Sequence, residues 1–199
     1  VDLGNDTAIC AGELFELNAG NVGLNFVWST GEIASTIAVS NEGVYVVEVS
    51  DDHGCIGVDS FKLLVNEIPF INIGNDTNIC EGDSVLLFTN KTALNHLWNT
   101  EEKTSSITAF SSGTYSVLVS DSNGCSYSDS LTLLVTNLPI VNLGNDTAVC
   151  AGELLELNAG NVGLNFVWNT GEIASTITVL NEGVYVVEVS GDNGCIGVD

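Results

Sequence analysis

Hydrophobic and polar residues alternate along this chain in short stretches, and Gly, Asn, Asp and Ser stand between them. The stretches Leu14–Ala19 (LFELNA), Asn25–Thr30 (NFVWST), Ser35–Val39 (STIAV), Val44–Ser50 (VYVVEVS) and Ser60–Val65 (SFKLLV) set the pattern. Period-two alternation over four to eight residues, closed by turn formers, predicts β-strands with one face buried. No apolar stripe of period 3.6 runs for a useful length, so the expectation is an all-β chain.

The pattern then recurs. The run GNDTAIC at Gly4–Cys10 returns with small changes at Gly74–Cys80 and Gly144–Cys150, and a second cysteine series falls at Cys55, Cys125 and Cys195. Trp28, Trp98 and Trp168 keep the same spacing of 70, as do Tyr45, Tyr115 and Tyr185. Pro69 and Pro139 mark the joints, which gives repeats at 1–70, 71–140 and 141–199. The first and third are nearly identical and the second has drifted, as expected of an array built by duplication. Comparing copies sorts the faces. Tyr45, Val47 and Val49 return as Tyr115, Val117 and Val119, whereas Val46 and Glu48 become Ser116 and Leu118. The constant set faces a core and the varying set faces out. The same test puts Phe15, Leu17, Trp28, Ile37, Val39, Phe61 and Leu63 in the core.

About seven short strands in each repeat, with one Trp in the third, argue for tandem immunoglobulin-like β-sandwich domains arranged end to end. NEGVY at 41–45 and SSGTY at 111–115 resemble the tyrosine corner of such domains. Two residues beyond that Tyr, where antibody domains carry a Cys, this chain has Val47, Val117 and Val187, so no disulfide is expected through the core.

Charge narrows the function. Twenty-six acids face three lysines and no arginine, for a net charge of −23. That excludes a nucleic-acid binder, which needs a basic patch, and disfavours anionic membrane surfaces. No apolar run approaches the ~18–20 residues needed to span a bilayer. The chain opens at Val1 without Met or a signal pattern, and stops at Asp199 where earlier repeats continue into SFKLLV and SLTLLV. The expectation is an excerpt of a longer polypeptide, with any export signal or anchor outside it. Six evenly spaced cysteines without a CxxC point to disulfides in an oxidising, extracellular setting rather than to zinc.

Taken together, the LGNDT run with its following Cys, the Trp–x–TGE segment, the Gly–x–Tyr strand and the terminal NGC resemble the immunoglobulin-like and PKD-like repeats of secreted Bacteroidota surface proteins. Those repeats occur in gliding-motility adhesins and other giant proteins exported by the type IX system. The resemblance covers all three repeats and implies a stalk module at the cell surface. It implies no particular activity, because such repeats also serve as spacers in filaments and secreted hydrolases.

In a sandwich of this kind Cys10 ends a strand running down the domain, and Cys55 follows a strand running up. Their ends lie more than about 20 Å apart, whereas a disulfide needs Cα atoms within about 7 Å. The favoured pairing is therefore between repeats: Cys10–Cys125 and Cys80–Cys195, with Cys55 and Cys150 bonding to flanking repeats. The alternative keeps each bond inside its repeat, as Cys10–Cys55, Cys80–Cys125 and Cys150–Cys195.

Other chemistry is weaker. Asp51, Asp52, Asp121 and Asp192 cluster at one turn end and are candidates for calcium, which takes six to eight oxygens, although no D-x-D-x-D loop is present. Asp–Ser/Thr followed by a small apolar residue, the site where the resembled proteins carry O-glycans, occurs at Thr7, Ser84, Ser130 and Thr147. The competing reading is an Asp/Thr turn that kinks the first strand. In the second repeat Leu86, Phe88, Phe110 and Tyr127 replace Glu16, Asn18, Ser40 and Gly57, and would form an exposed apolar binding face. His53 and His96 have no repeated partner or nucleophile motif, so no catalytic triad is supported and no enzyme is expected. No cofactor is expected beyond the calcium candidate. The function expected is a structural stalk or filament of a secreted adhesin. Its partners would be neighbouring repeats and, through lateral association, other stalks in a fibre. Surface glycans or a protein bound by the second repeat are the alternative, as is a spacer in a secreted hydrolase.

Overall fold

The computed structural model describes residues 1–20 and 23–199. All regular structure in them is β. The first repeat forms β1 (Thr7–Cys10), β2 (Phe15–Asn18), β3 (Asn25–Trp28), β4 (Thr36–Val39), β5 (Gly43–Ser50) and β6 (Ile56–Asn66). The second forms β7 (Thr77–Cys80), β8 (Val85–Phe88), β9 (Asn95–Trp98), β10 (Ser106–Ala109), β11 (Gly113–Ser120) and β12 (Ser126–Thr136). The third forms β13 (Leu155–Asn158), β14 (Asn165–Trp168), β15 (Thr176–Val179), β16 (Val187–Ser190) and β17 (Ile196–Val198).

In the first repeat β1-β6-β5-β3 make one sheet and β2-β4 the other. The orders β7-β12-β11-β9 with β8-β10, and β14-β16-β17 with β13-β15, repeat the scheme. Two sheets packed by their inner faces are the immunoglobulin-like sandwich. β1 runs parallel to the far end of β6, with Thr7 opposite Leu63 and Cys10 opposite Asn66. β6 itself pairs antiparallel with β5 along its upper length, from Ser50↔Ile56 to Gly43↔Leu63.

The strand count differs from expectation: six described strands in each of the first two repeats, not seven. The segment between β3 and β4 is a tight turn instead. There Gly31 N–H donates to the Trp28 carbonyl and Trp28 N–H donates to the Glu32 carbonyl, both at 2.9 Å. Trp28 Nε1 then donates to the Ala34 carbonyl at 2.8 Å, so the buried indole carries its own hydrogen bond and pins the turn. Trp98 and Trp168 do the same to the carbonyls of Thr104 and Ala174.

The chain divides into two compact units: Val1–Ile71 with Lys91–Leu97 and Leu118–Ser128, and Asn72–Asn90 with Trp98–Val117 and Asp129–Asp199. The core of the first contains Leu17, Trp28, Ile37, Val39, Tyr45, Val47, Val49, Phe61 and Leu63. Phe15, expected there, is only half-buried and stacks on Phe61 at 5.2 Å between ring centroids. In the second unit a cluster around Phe166, Trp168, Ile177, Val187 and Val189 plays the same part. The tyrosine corners are present. Tyr45, Tyr115 and Tyr185 hydroxyls donate to the carbonyls of Asn41, Ser111 and Asn181 at 2.7, 3.0 and 2.6 Å.

The repeated acids hold the sheets together at their ends. Asp59 Oδ2 accepts from Leu3 N–H at 2.7 Å, Asp129 from Ile73 at 2.8 Å and Asp199 from Leu143 at 2.6 Å. Asp6 Oδ1 accepts from Lys62 N–H, and Asp76 from Thr132 N–H, just ahead of the parallel pairing. Asp6 and Asp76 thus take N–H groups of β6 and β12, and Asp59, Asp129 and Asp199 take those of Leu3, Ile73 and Leu143, which lie outside the strands; an unmade backbone bond is costly. The Leu3 N–H, and after it that of Ser60, holds the Asp59 carboxyl below the usual carboxylate range.

A carboxylate whose folded pKa lies below its unfolded value contributes stability above the unfolded value, near 4, and loses it as pH falls through the folded one. Thermal melts of the protein should therefore drop on acidification below about pH 4. Asp59→Asn should show a shallower drop than Asp52→Asn, which removes the same charge from an exposed turn; equal slopes would mean that the Leu3–Asp59 contact contributes nothing.

Candidate functional site: the disulfide joints

Two disulfides are formed, Cys10–Cys125 and Cys80–Cys195, with Cα separations of 5.6 and 5.5 Å. Each bond spans 115 residues and ties the end of a first strand to the turn before the last strand of the following repeat. Cys55 and Cys150 are free and exposed. The alternative pairings inside each repeat are not formed, and the register explains why. Cys10 lies opposite Asn66, whereas Cys55 precedes Ile56 at the other end of the same strand. Eleven residues of strand separate them by about 36 Å, far beyond disulfide reach.

Both partners of each bond sit in a preformed turn. Cys10 starts a turn in which Glu13 N–H donates to its carbonyl at 3.1 Å, and the turns at Cys80 and Cys150 repeat this with Asp83 and Glu153 at 3.0 Å. The third residue is glycine each time, Gly12, Gly82 and Gly152, with φ of 88°, 94° and 90°. A type II turn needs such an angle there, and glycine adopts it without a Cβ clash. The partner turns are built by aspartate. Asp121 Oδ1 accepts from the N–H groups of Asn123 and Cys125, and Asp51 Oδ1 from those of His53 and Cys55, all at 2.9 Å. Those bonds, Cys55 N–H first, hold the Asp51 carboxyl below its ordinary value. In the third repeat Gly191 stands at this position, and Asn193 Oδ1 takes the Cys195 N–H at 3.3 Å.

The chain leading into each last strand packs on this same region. Phe70 rests against Tyr127 with ring centroids 5.1 Å apart. Gly197 lies against the Pro139 carbonyl so closely that any Cβ would collide with it. The Cys195 sulfur is 3.9 Å from the Thr136 carbonyl oxygen, at the end of the strand that pairs with Cys80.

The remaining candidates are placed as follows. Asp51 and Asp121 spend carboxylate oxygens on backbone N–H groups, while Asp52 and Asp192 are exposed turn residues. Among the described residues no group of three or more His, Cys, Asp or Glu is arranged to hold a metal. His53 stands 3.9 Å from Asp51 Oδ2 on the same turn. Thr7 is half-buried on β1, and Ser84, Ser130 and Thr147 are exposed. Leu86 and Phe88 lie on the outward face of β8 and Phe110 follows the end of β10; they are 58%, 46% and 70% exposed. Tyr127 is not part of that group: it lies on β12 and is occupied by Phe70. The Asp latches were not visible as a site in the sequence; the signal was that Asp6 and Asp59 recur at the repeat spacing.

No protein-family model matches the chain, and neither does any curated protein. In structure it is similar to the N-terminal eight immunoglobulin domains of Down syndrome cell adhesion molecule isoform 1.30.30. That likeness is at 14% identity with a TM-score of 0.50, over all of this chain and 40% of that one. It is also similar to the insect immune protein hemolin, at 13% identity and a TM-score of 0.38 over 98% of this chain and 72% of that one. Immunoglobulin domains 1–5 of Sidekick-1 are similar at 12% identity and a TM-score of 0.33, over 96% and 55% of the two chains. At such identity the likeness concerns the fold. Fold and joints define a chain of tandem immunoglobulin-like sandwiches with disulfides between successive repeats.

Loop closure of this length would give each bond alone about 5 kcal/mol of stabilisation, and the overlap of the two loops makes the sum smaller than twice that. The bonds also fix how far the chain can be pulled. With both intact, the path from end to end runs only through residues 1–10, 80–125 and 195–199, so at ~3.6 Å per residue full extension reaches about 220 Å. Reduction should lengthen it to about 720 Å. Single-molecule stretching with and without reductant measures this, and an oxidised chain extending past 220 Å would show that the joints are open.

Proposed function

We propose that the chain is a stalk segment of a large secreted cell-surface adhesin, of the Bacteroidota type that its sequence resembles. The repeats 1–70, 71–140 and 141–199 act as its successive domains. Function then resides in length, stiffness and presentation. The observation that carries this reading is the pair of joints, in which each repeat is bonded covalently to the next rather than closed on itself. Marginal seventy-residue sandwiches gain stability from such bonds, and the joints lose freedom of rotation. The disulfides support a location outside the cytosol, in keeping with immunoglobulin-like adhesion molecules sharing its fold. Thr7, Ser84, Ser130 and Thr147 are proposed O-glycan sites on that surface; three of them are exposed.

A second reading has an observation of its own. The exposed Leu86–Phe88–Phe110 face, absent from the first repeat, suits a glycan or protein ligand or lateral packing of stalks into a fibre.

Immunogold labelling of intact, unpermeabilised source cells should decorate the surface and structures projecting from it; label confined to the cytoplasm overturns the stalk. Glycan-array binding by the whole chain, abolished in Phe88→Ser with Phe110→Ser, would instead make the second repeat a ligand module.

A further inference from the structure

An Asn–Gly step stands immediately before the late cysteine of the second and third repeats, Asn123–Gly124 before Cys125 and Asn193–Gly194 before Cys195. Both asparagines are exposed to water. Their side chains are nonetheless held in opposite directions. Asn123 Nδ2 reaches back to Asp121 Oδ2 at 3.2 Å, while Asp121 Oδ1 takes the Asn123 and Cys125 N–H groups. The third repeat has Gly191 in place of that aspartate, and any Cβ there would lie 3.1 Å from Asn193 Oδ1. The Asn193 side chain thus occupies the room that an aspartate would need. It reaches forward over Gly194 and accepts the Cys195 N–H at 3.3 Å. We propose that Asn193 is a site of spontaneous deamidation, open because Gly191 replaces the aspartate that restrains its counterpart Asn123.

The chemistry uses only the chain, water and hydroxide. The Gly194 amide nitrogen, deprotonated by hydroxide, attacks Cγ of Asn193 and closes a five-membered succinimide. The bond from Cγ to Nδ2 breaks, and that nitrogen leaves as ammonia with protons from water. Water then opens either carbonyl of the ring, leaving aspartate or isoaspartate at position 193. In sum one water is consumed, one ammonia is released and the chain gains a negative charge.

The side chain sets the two sites apart. Attack is favoured when nucleophile and target are already held close. A side chain folded across Gly194 lies nearer to that arrangement than one tied back to Asp121. The Cys195 N–H also points at Oδ1, the atom on which negative charge develops, as a donor of an oxyanion hole does. At Asn123 the neighbour is a carboxylate, whose charge opposes a developing oxyanion. The nucleophile does not separate them. Gly124 N–H is held by the Asp121 carbonyl at 3.3 Å, and Gly194 N–H by the Gly191 carbonyl at 3.0 Å. Isoaspartate would add a carbon to the main chain two residues before Cys195, in the turn from β16 to β17 that presents this cysteine to Cys80. Deamidation there alters the joint from within.

The test incubates the whole chain, disulfides intact, at mildly alkaline pH and follows both sites by peptide mapping, with isoaspartate read separately from aspartate. The same chain, reduced and held in denaturant, gives the rate that each local sequence sets by itself, Asp192 beside Asn193 included. Relative to that reference, folded Asn193 should convert several-fold faster than folded Asn123. Gly191→Asp should slow Asn193 to the level of Asn123, and Asp121→Gly should quicken Asn123 to the level of Asn193. The proposal is overturned if the two folded sites, each against its unfolded reference, convert alike or in the reverse order, or if Gly191→Asp leaves Asn193 unchanged.

Discussion

Parallel pairing of β1 with the lower end of β6 sets almost everything else in this molecule. It places Cys10 level with Asn66, at the foot of the last strand, while Cys55 stays at that strand's head. A disulfide cannot cross the length of a strand. The early cysteine of each repeat is thereby directed to a neighbour, and a sandwich too small to be very stable alone becomes one link of a covalent series. The carboxylates of Asp6 and Asp59 fasten this arrangement from the side, catching the main-chain N–H groups of Lys62 and Leu3. Cysteine position and aspartate position thus serve one register.

Much of that arrangement could be read from residue order. Alternation located the strands, and the comparison of copies separated Tyr45, Val47 and Val49, all buried, from outward Glu48. The single Trp of each repeat marked the centre of the core because a large indole is conserved in place only where it fills a fixed volume. What alternation could not show was the missing strand after β3. STGEIAS has the polar residues of an edge strand, but Gly31 at positive φ and the Trp28 Nε1 bond close it into a turn. Phe15 misled in a smaller way: its position is inward, yet it sits at the rim of the sandwich and only its face meets Phe61.

The NDT triplet shows where residue order stops being informative. It invites a glycan at the Thr, and the chain offers an exposed Thr147 as well as a half-buried Thr7. Its Asp has a structural duty that no local pattern reveals, because the N–H it accepts lies 56 residues away. The same holds for Asp59 with Leu3. Contacts of such separation are set by topology, and a motif can be repeated for the sake of one residue while another residue in it remains available for modification.

Charge and covalent linkage are two sides of one constraint. Twenty-six acids keep a chain rich in exposed Val, Leu and Ile from adhering to itself, since like charge opposes close approach of copies. The same repulsion acts between successive repeats, which at physiological salt lie well within a Debye length of about 8 Å at their joints. At these joints Phe70 meets Tyr127 and Gly197 fits against the Pro139 carbonyl. A disulfide holds such a joint against repulsion, because its strength does not depend on salt or on the area buried beside it. Putting the bond between repeats rather than within them lets the surface stay highly charged without leaving the joints loose.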